Sequence, residues 1–332
     1  LVFTAIASEA KSSPRRGFRL ARDGRQPTPK LIESEGTILR KRKNIAGVNS
    51  SMIRRPIRRW APLFILPTFL AFCIGFIWPF IQGIYLSFCN FNTPRDAVFE
   101  GLKNYTKVFQ DAGFLNAFKN TAAFAVVSII LINVLAFFVA YALTSGIRGA
   151  NAFRTVFFMP NLIGGIVLGY IWQLLLNGIL AHWQKTLTYS SAYGFWGLVI
   201  LLCWQQIGYM MIIYIAGIQN ISSEMLEAAQ VDGANWHQRL FNIIIPSVRP
   251  SIIICVFLTL TNGFKLFDQN LALTGGEPSH GTEMVALNIY NTFYGSSADY
   301  RGVGQAKAVI FAIILAIIGF AQMKIQSERG EK

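Results

Sequence analysis

The residues whose types and spacing are most informative lie in the segment 220–250, and they suit docking to another protein rather than covalent chemistry. Serines that can cap a helix come directly before Glu224, whose charge suits the first turn of a helix. Small side chains follow at Ala228 and Ala229, and Gly233 stands where a helix would end. Because small side chains let a groove of another protein approach the backbone closely, the segment predicts a short docking helix.

The motifs that usually indicate catalysis are missing from the sequence. There is no G-x-x-x-x-G-K-[ST] phosphate loop, because Gly302-Val303-Gly304 is not followed by the required lysine and hydroxyl. There is also no G-x-S-x-G elbow and no H-E-x-x-H pair, and the four cysteines form no C-x-x-C pair. We therefore predict no catalytic site, no metal site and no cofactor.

A second set of polar residues lies inside long apolar runs. Polar groups in such runs are unfavourable in lipid and tend to face the interior of a helix bundle. Amides beside aromatic rings suit a sugar, which offers hydroxyls on its edge and C–H groups on its face. The candidates for a substrate pathway are Gln173, Gln205, Tyr209, Asn262, Lys265 and Asp268. The alternative is that these residues form hydrogen bonds between helices, with Lys265 and Asp268 as an i,i+3 ion pair.

The composition indicates a polytopic membrane protein. Of the 332 residues, 53% are hydrophobic and only 14% are charged, whereas soluble proteins carry about 25% charged residues. The net charge of +14 does not indicate nucleic-acid binding, because half of it lies in residues 1–51 and the remaining basic residues mostly flank apolar segments.

Six apolar stretches are long enough to cross a bilayer core of about 30 Å, which needs roughly 20 helical residues. We therefore predict an all-α membrane protein with six transmembrane helices. The predicted spans are 61–88, 119–144, 155–177, 194–218, 248–271 and 303–325.

The distribution of basic residues predicts the orientation of these spans. Arg148 and Arg154 lie between spans two and three, and Arg239 and Arg249 lie between spans four and five. The opposite connections are mixed or nearly neutral, with Lys185 alone in one of them. Since basic loops stay on the cytoplasmic side, both termini are predicted to be cytoplasmic.

The first 51 residues differ from the rest, being rich in Arg, Lys, Ser, Gly and Pro without a sustained apolar period. They contain no apolar core of the kind that a secretory signal needs, so we predict a disordered basic arm. A basic run follows Met52, directly before the first span. We expect translation to start at or near Met52, with 52–332 as the transmembrane domain; the alternative is a genuine arm lying against anionic lipid.

A resemblance to a known family becomes specific in the segment 220–250. Glu227-Ala228-Ala229, three residues, Gly233, nine residues and Ile243-Ile244-Ile245-Pro246 resemble the EAA loop of ABC importer permeases, read as EAA-x3-G-x9-I-x-L-P. The one departure is Ile245, which stands where the family has leucine. The longer run EAAQVDGANWHQRLFNIIIPSVRP is similar to the carbohydrate-uptake branch, the relatives of the maltose and glycerol-3-phosphate permeases.

Two further segments resemble the same branch. Phe99–Tyr105 reads F-x-G-L-x-N-Y, and Leu273–Pro278 resembles its outer loop before span six, with Glu277 inserted where the family usually has Gly-Gly-Pro. The resemblance extends from about Arg55 to the C-terminus. It implies the six-helix fold of type I ABC importer permeases. It also implies that the EAA helix docks in a cleft of a separate ATPase, with coupling residues Glu227, Ala228, Ala229, Gly233 and Pro246.

The implied function is that of a permease subunit of an ATP-driven sugar importer in a bacterial cell membrane. The implied partners are a second permease chain, two ATP-binding cassette subunits, an extracytoplasmic solute-binding protein, the sugar and membrane lipid. One alternative is the same machine for glycerol phosphate, a polyamine or an anion. Another is an ion-coupled secondary transporter, which the near absence of acidic residues in the spans disfavours.

Overall fold

The computed structural model describes residues 63–295 and 300–330, with side chains as far as Lys324. The predicted basic arm, the expected start at Met52 and the basic run after it all lie outside the described residues. The described chain divides into two compact units between Trp78 and Pro79, and the second unit contains every site discussed below.

The described chain is helical apart from one small ladder, in which β1 (Cys89–Asn90) pairs antiparallel with β2 (Val98–Phe99). Short 3-10 turns lie at Met159–Leu162 and Leu187–Tyr189, and π turns at Cys73–Ile77, Leu240–Ile244 and Asn291–Gly295. The helices are α1 Leu63–Leu86, α2 Lys103–Gln110, α3 Ala112–Thr144, α4 Ala150–Phe158, α5 Gly165–Ala181, α6 Ser191–Gln219, α7 Ser223–Val231, α8 Trp236–Arg239, α9 Ile245–Ser247, α10 Arg249–Phe264, α11 Asp268–Leu273, α12 Val285–Tyr290 and α13 Arg301–Gly330.

The prediction of an all-α membrane protein is confirmed. Four described helices are long and apolar enough to cross a membrane, and the number rises to six when two bent helix pairs each count as one span. Every predicted span overlaps one of these six. The main difference in length is α3, which begins at Ala112 rather than 119 because the Asp111 side chain caps its N-terminus.

The helices of the third and fifth spans are bent, and the hydropathy pattern did not predict the break inside the third. Helices α4 and α5 meet at 102°, because Ile163 and Gly164 adopt extended backbone angles. The helical segment that ends at Ser247 meets α10 at 68°, and α10 itself ends at Phe264, short of the predicted 271. The separate helix α11 then follows the non-helical residues 265–267.

Close helix packing depends on glycines. A Cβ atom on Gly208 of α6 would overlap the backbone carbonyl of Phe157, and one on Gly169 of α5 would overlap Ala272 of α11. Gly165 and Gly169 form a G-x-x-x-G pair whose face lies against α11. Small residues at this spacing let membrane helices approach closely, so dispersion contacts and interhelical hydrogen bonds can form.

The centre of the bundle is formed by α3, α6 and α10. Buried apolar side chains from these helices include Phe124, Ile132, Leu202 and Met210. Several buried polar groups in this region are paired across helices, as described below, whereas the Ser128 hydroxyl on α3 has no hydrogen-bond partner among the described residues. The bundle is thus a tightly packed support for the loops at its two ends.

We predict that Gly208→Ala destabilises the protein by about 1–3 kcal/mol, because the added methyl group must displace backbone rather than a flexible side chain. The matched control is Gly178→Ala in α5, where a Cβ atom meets nothing within 4 Å. Thermal unfolding in detergent, followed by size-exclusion chromatography, measures the difference. Equal midpoints for the two variants would show that the close approach at Gly208 does not matter.

Candidate functional site

The predicted docking helix is present as α7, which covers Ser223–Val231. Glu224, Glu227 and Ala228 are exposed, whereas Leu226 is half-buried and packs against the main apolar core. One face of the helix is therefore anchored and the other is open. Ser222 occupies the N-cap position but its side chain makes no capping hydrogen bond, so the predicted serine cap is wrong in that detail.

Gly233 ends this helix as the sequence predicts. Its φ of +77° lies in the left-handed region that glycine adopts easily. The Gly233 amide donates to the Gln230 carbonyl (3.1 Å) and the Ala234 amide donates to the Ala229 carbonyl (2.9 Å). These two bonds form a Schellman motif, which satisfies carbonyls that would otherwise be free at the helix end.

The second half of the segment fastens α7 to the bundle. Asn235 and Gln238 form a capping box at the start of α8. The Trp236 indole Nε1 donates to the Tyr141 hydroxyl (2.8 Å), near the C-terminal end of α3. Beyond α8, Leu240, Ile244 and Val248 are buried in the core.

The helical segment that contains Pro246 ends one residue after it, at Ser247. Pro246 lies in the first turn of α9, where a missing amide hydrogen causes no loss, and the helix continues to Ser247. The chain changes direction one residue later, at Val248. Pro246 is exposed.

The electrostatics of this surface are simple. Within the described part of the chain, Glu227 has neither a hydrogen-bond nor an ionic partner, and its side chain is open to solvent. Ala228 beside it leaves the backbone accessible. The segment 220–250, which we call the coupling loop, therefore offers a preformed helix with exposed carboxylates, among them Glu227.

The structure places three of the predicted pathway residues in hydrogen bonds between helices. Gln205 on α6 accepts from the Gln269 amide on α11 (2.8 Å) and donates to the Ile163 carbonyl (3.4 Å). Asn262 on α10 donates to Gln206 (3.2 Å), and Gln173 on α5 donates to the Leu273 carbonyl (3.0 Å). These contacts match the alternative of interhelical hydrogen bonding.

The other three predicted pathway residues are placed differently. Lys265 and Asp268 are exposed on either side of the break between α10 and α11, and among the described residues no ion pair joins them. The predicted i,i+3 pair is thus wrong, because the residues between α10 and α11 are not helical. Tyr209 is half-buried and packs against the apolar core.

A buried hydrogen-bond network in the bundle centre was missed by the sequence analysis. The Tyr214 hydroxyl on α6 donates to the Asn133 side chain on α3 (2.8 Å), and the Asn133 amide donates to Thr259 on α10 (3.2 Å). The signal was the spacing of Gln206, Met210 and Tyr214, which are four residues apart and so share one face of α6.

A second missed cluster lies at the N-terminal end of α3. Lys307 of α13 is 1% exposed, and its ammonium pairs with Asp111 (2.6 Å) and donates to Asn288 (2.8 Å) and Thr292 (2.7 Å). Burial alone would raise the pKa of the Asp111 carboxyl. The hydrogen bond and charge of Lys307, with the backbone amides at the helix start, outweigh it and lower that pKa. The signal was a lysine inside an apolar span, which requires a partner.

Comparison with known proteins relates the chain to membrane components of transport systems. Residues 132–329 match the family described as "Binding-protein-dependent transport system inner membrane component". Over 282 residues the chain is 44% identical to the "Probable starch degradation products transport system permease protein AmyD" of Thermoanaerobacterium thermosulfurigenes, covering 81% of this chain and 94% of that one. It is 30% identical over 287 residues to the "Multiple sugar-binding transport system permease protein MsmF" of Streptococcus mutans, covering 83% and 98%.

A solved structure shares the fold. It is a chain of the crystal structure of a bacterial ABC transporter involved in the import of the acidic polysaccharide alginate, with a TM-score of 0.70 and 20% identity. The match covers 83% of this chain and 98% of that chain. The prediction of a type I importer permease fold is confirmed by this likeness.

The depressed pKa of Asp111 predicts how stability depends on pH. A carboxylate whose pKa is lower in the folded state than in the unfolded state stabilises the fold above its unfolded value of about 4, and loses that effect as pH falls through the folded value. We expect Asp111→Asn to be less stable than the wild type by a constant margin above about pH 5. That margin should shrink below about pH 4.

Thermal midpoints of both proteins between neutral and acidic pH measure this margin. Glu100→Gln is the control, because Glu100 forms an exposed pair with Lys103 that contributes little. A margin that stays the same at every pH would contradict the role given to the charge of Asp111.

Proposed function

Because the chain belongs to the family of binding-protein-dependent transport system inner membrane components, we propose that it is the permease subunit of an ATP-driven sugar importer. The observation that supports this best is the coupling loop, an ordered helix with an open face and a free carboxylate at one end of a membrane bundle. The sugar class is supported by the 44% identity to a relative named for transport of starch degradation products.

In this proposal the coupling loop transmits motion from a separate ATPase. Glu227 offers its carboxylate to a basic or amide side chain of that subunit, and Ala228 and Ala229 allow its surface to approach the backbone of α7. Gly233 gives the turn that directs the chain back to the bundle, and Pro246 is also exposed. ATP is bound and hydrolysed on the partner chain.

The proposed assembly has two permease chains and two ATP-binding cassette subunits, and a solute-binding protein delivers the sugar. One relative in fold was solved as an alginate transporter in complex with an alginate pentasaccharide-bound periplasmic protein, which supports the binding-protein partner. We further propose that both termini are cytoplasmic, that 52–332 is the permease domain and that 1–51 is a basic arm or an extension upstream of the true start.

The substrate pathway is proposed to pass the break between α10 and α11. Lys265 and Asp268 are exposed there. The residues between the two helices are not helical, so their backbone groups are outside the regular hydrogen-bond pattern of a helix. Backbone of this kind is tolerated at membrane depth where it lines a cavity or is buried in protein. Gln173, Gln205 and Asn262 hold the surrounding helices in place, and Tyr209 packs behind them.

A glycerol phosphate permease is the second candidate. The chain is 30% identical over 273 residues to the "sn-glycerol-3-phosphate transport system permease protein UgpA" of Brucella abortus. A phosphate ester requires cationic groups along its path, and Lys265 is one such group at the helix break. Uptake assays with labelled oligosaccharide and labelled glycerol phosphate in the same cells separate the two candidates.

We predict that Glu227→Lys abolishes sugar import and weakens association with the ATPase about tenfold or more, because it replaces an attractive charged contact by a repulsive one. Co-purification of the ATPase and import into membrane vesicles measure the two effects. Glu100→Lys is the control, because it reverses a half-buried carboxylate outside the coupling loop. Full import and normal association in Glu227→Lys would refute the coupling role.

Gly233 allows a separate test of geometry. A Cβ atom at this position meets nothing within 4 Å. A substitution can therefore affect import only by straining the backbone at its positive φ or by clashing with a bound partner. Asparagine tolerates this φ, whereas a β-branched residue does not. We expect import to fall slightly in Gly233→Asn and severely in Gly233→Val. Equal loss in both variants would mean that the ATPase needs the space, and that backbone strain is not the cause.

A further inference from the structure

A polar cavity of about 740 Å³ opens beside the N-terminal end of α3. Its lining contains no apolar side chain: every lining residue is polar, charged or glycine, in a protein that is 53% hydrophobic. It is formed by residues from the start of α3, the connection between α11 and α12, the π turn after α12 and Lys307 of α13. Such a lining offers many hydrogen-bonding groups to a ligand.

The cavity lies at the opposite end of the bundle from the coupling loop. Helix α3 has 33 residues and so spans about 50 Å. Its first residues line the cavity, and Tyr141 near its last turn contacts Trp236 of the coupling loop. If the coupling loop faces the cytoplasm, as we propose, the cavity faces outside, where substrate arrives.

The floor of the cavity is held by buried charges with full sets of partners. Lys307 is bound by Asp111, Asn288 and Thr292. Glu283, which is 2% exposed, accepts from the side chains of Asn288 (3.0 Å) and Asn291 (2.6 Å) and pairs with His280 (3.3 Å). These bonds fix the orientation of the amides, so the floor is preorganised.

Other polar atoms around the cavity have no protein partner in the described part of the chain. They are the amide of Asn116, the ammonium of Lys119, the hydroxyl of Ser279 and the side-chain carbonyls of Asn120 and Asn291. Donors and acceptors that face an open volume match a ligand with hydroxyl groups on every side. The volume is also within the range of about 300–1,000 Å³ found for small-molecule sites.

We propose that this cavity is a saccharide-binding vestibule on the outer face of the permease, separate from the break between α10 and α11. It would bind one end of an incoming oligosaccharide through Asn116, Lys119, Ser279 and the carbonyls of Asn120 and Asn291. The proposal rests on the proposed function, sugar import. A neutral sugar fits better than a phosphate ester, because Lys119 is the one lining lysine that lacks an acidic partner among the described residues.

The test is direct binding of maltotriose to the complete permease–ATPase complex in lipid nanodiscs without the solute-binding protein. Maltotriose is a product of starch degradation, the substrate class in the name of a relative. We expect Asn116→Leu to weaken binding about fivefold, the effect of one lost hydrogen bond. Gln110→Leu is the matched control: it removes an exposed amide six residues away that is not part of the lining.

A second series fills the cavity instead of removing hydrogen bonds. A Cβ atom on Gly295, a lining residue, meets nothing within 4 Å. We expect the affinity for maltotriose to fall steadily through Gly295→Ala, Gly295→Val and Gly295→Phe as the volume is lost. An equal loss in all three would indicate a backbone effect and would count against the vestibule.

The outcomes separate the vestibule from the function on which it rests. If the wild type imports maltotriose with its binding protein but the isolated complex binds none, the vestibule is refuted and the proposed function stands. Unchanged maltotriose binding with weaker binding-protein association in the variants would assign the cavity to protein docking and also refute the vestibule. If the wild type imports no sugar at all, the proposed function itself is refuted, and the vestibule proposal falls with it.

Discussion

The constraint on which this structure depends is that a polar group inside the membrane must find a partner within the protein. No water is available there, so each unpaired group would destabilise the fold by several kcal/mol. The Asn133–Tyr214–Thr259 network joins α3, α6 and α10 in this way, and Gln205 joins α6 to α11. Each such contact contributes only about 0.6–2 kcal/mol, but its geometry specifies which helices are neighbours.

The same constraint connects the two ends of the bundle. Helix α3 runs without interruption from Asp111, which pairs with Lys307, to the turn where Tyr141 accepts from Trp236 of the coupling loop. Spans three and five, by contrast, are broken. A rigid helix beside two broken ones gives the bundle a fixed element and two places where φ and ψ can change, as hinge motions require.

The sequence predicted those features that depend on local pattern. Hydropathy located all six spans, and the spacing from Glu227 to Gly233 located α7 and its end, because helix caps and glycine turns are set by neighbouring residues. The breaks at Gly164 and after Phe264 were missed, since apolar composition alone does not distinguish a straight span from a bent one. Lys307 was also missed, because its partner Asp111 is 196 positions away in sequence and pairs with it only in the fold.

The short length of α7 explains why so much of the coupling loop is devoted to anchoring. A helix of nine residues is not stable in water by itself, because nucleation outweighs the few hydrogen bonds that it gains. Here Leu226 packs on the core, the Schellman motif closes one end, and the Trp236 contact fixes the chain that follows. These contacts within the fold therefore compensate the entropic cost of ordering α7 before any partner binds. A partner that binds α7 gains contact without having to order it, and can move the helix and its anchors as one body.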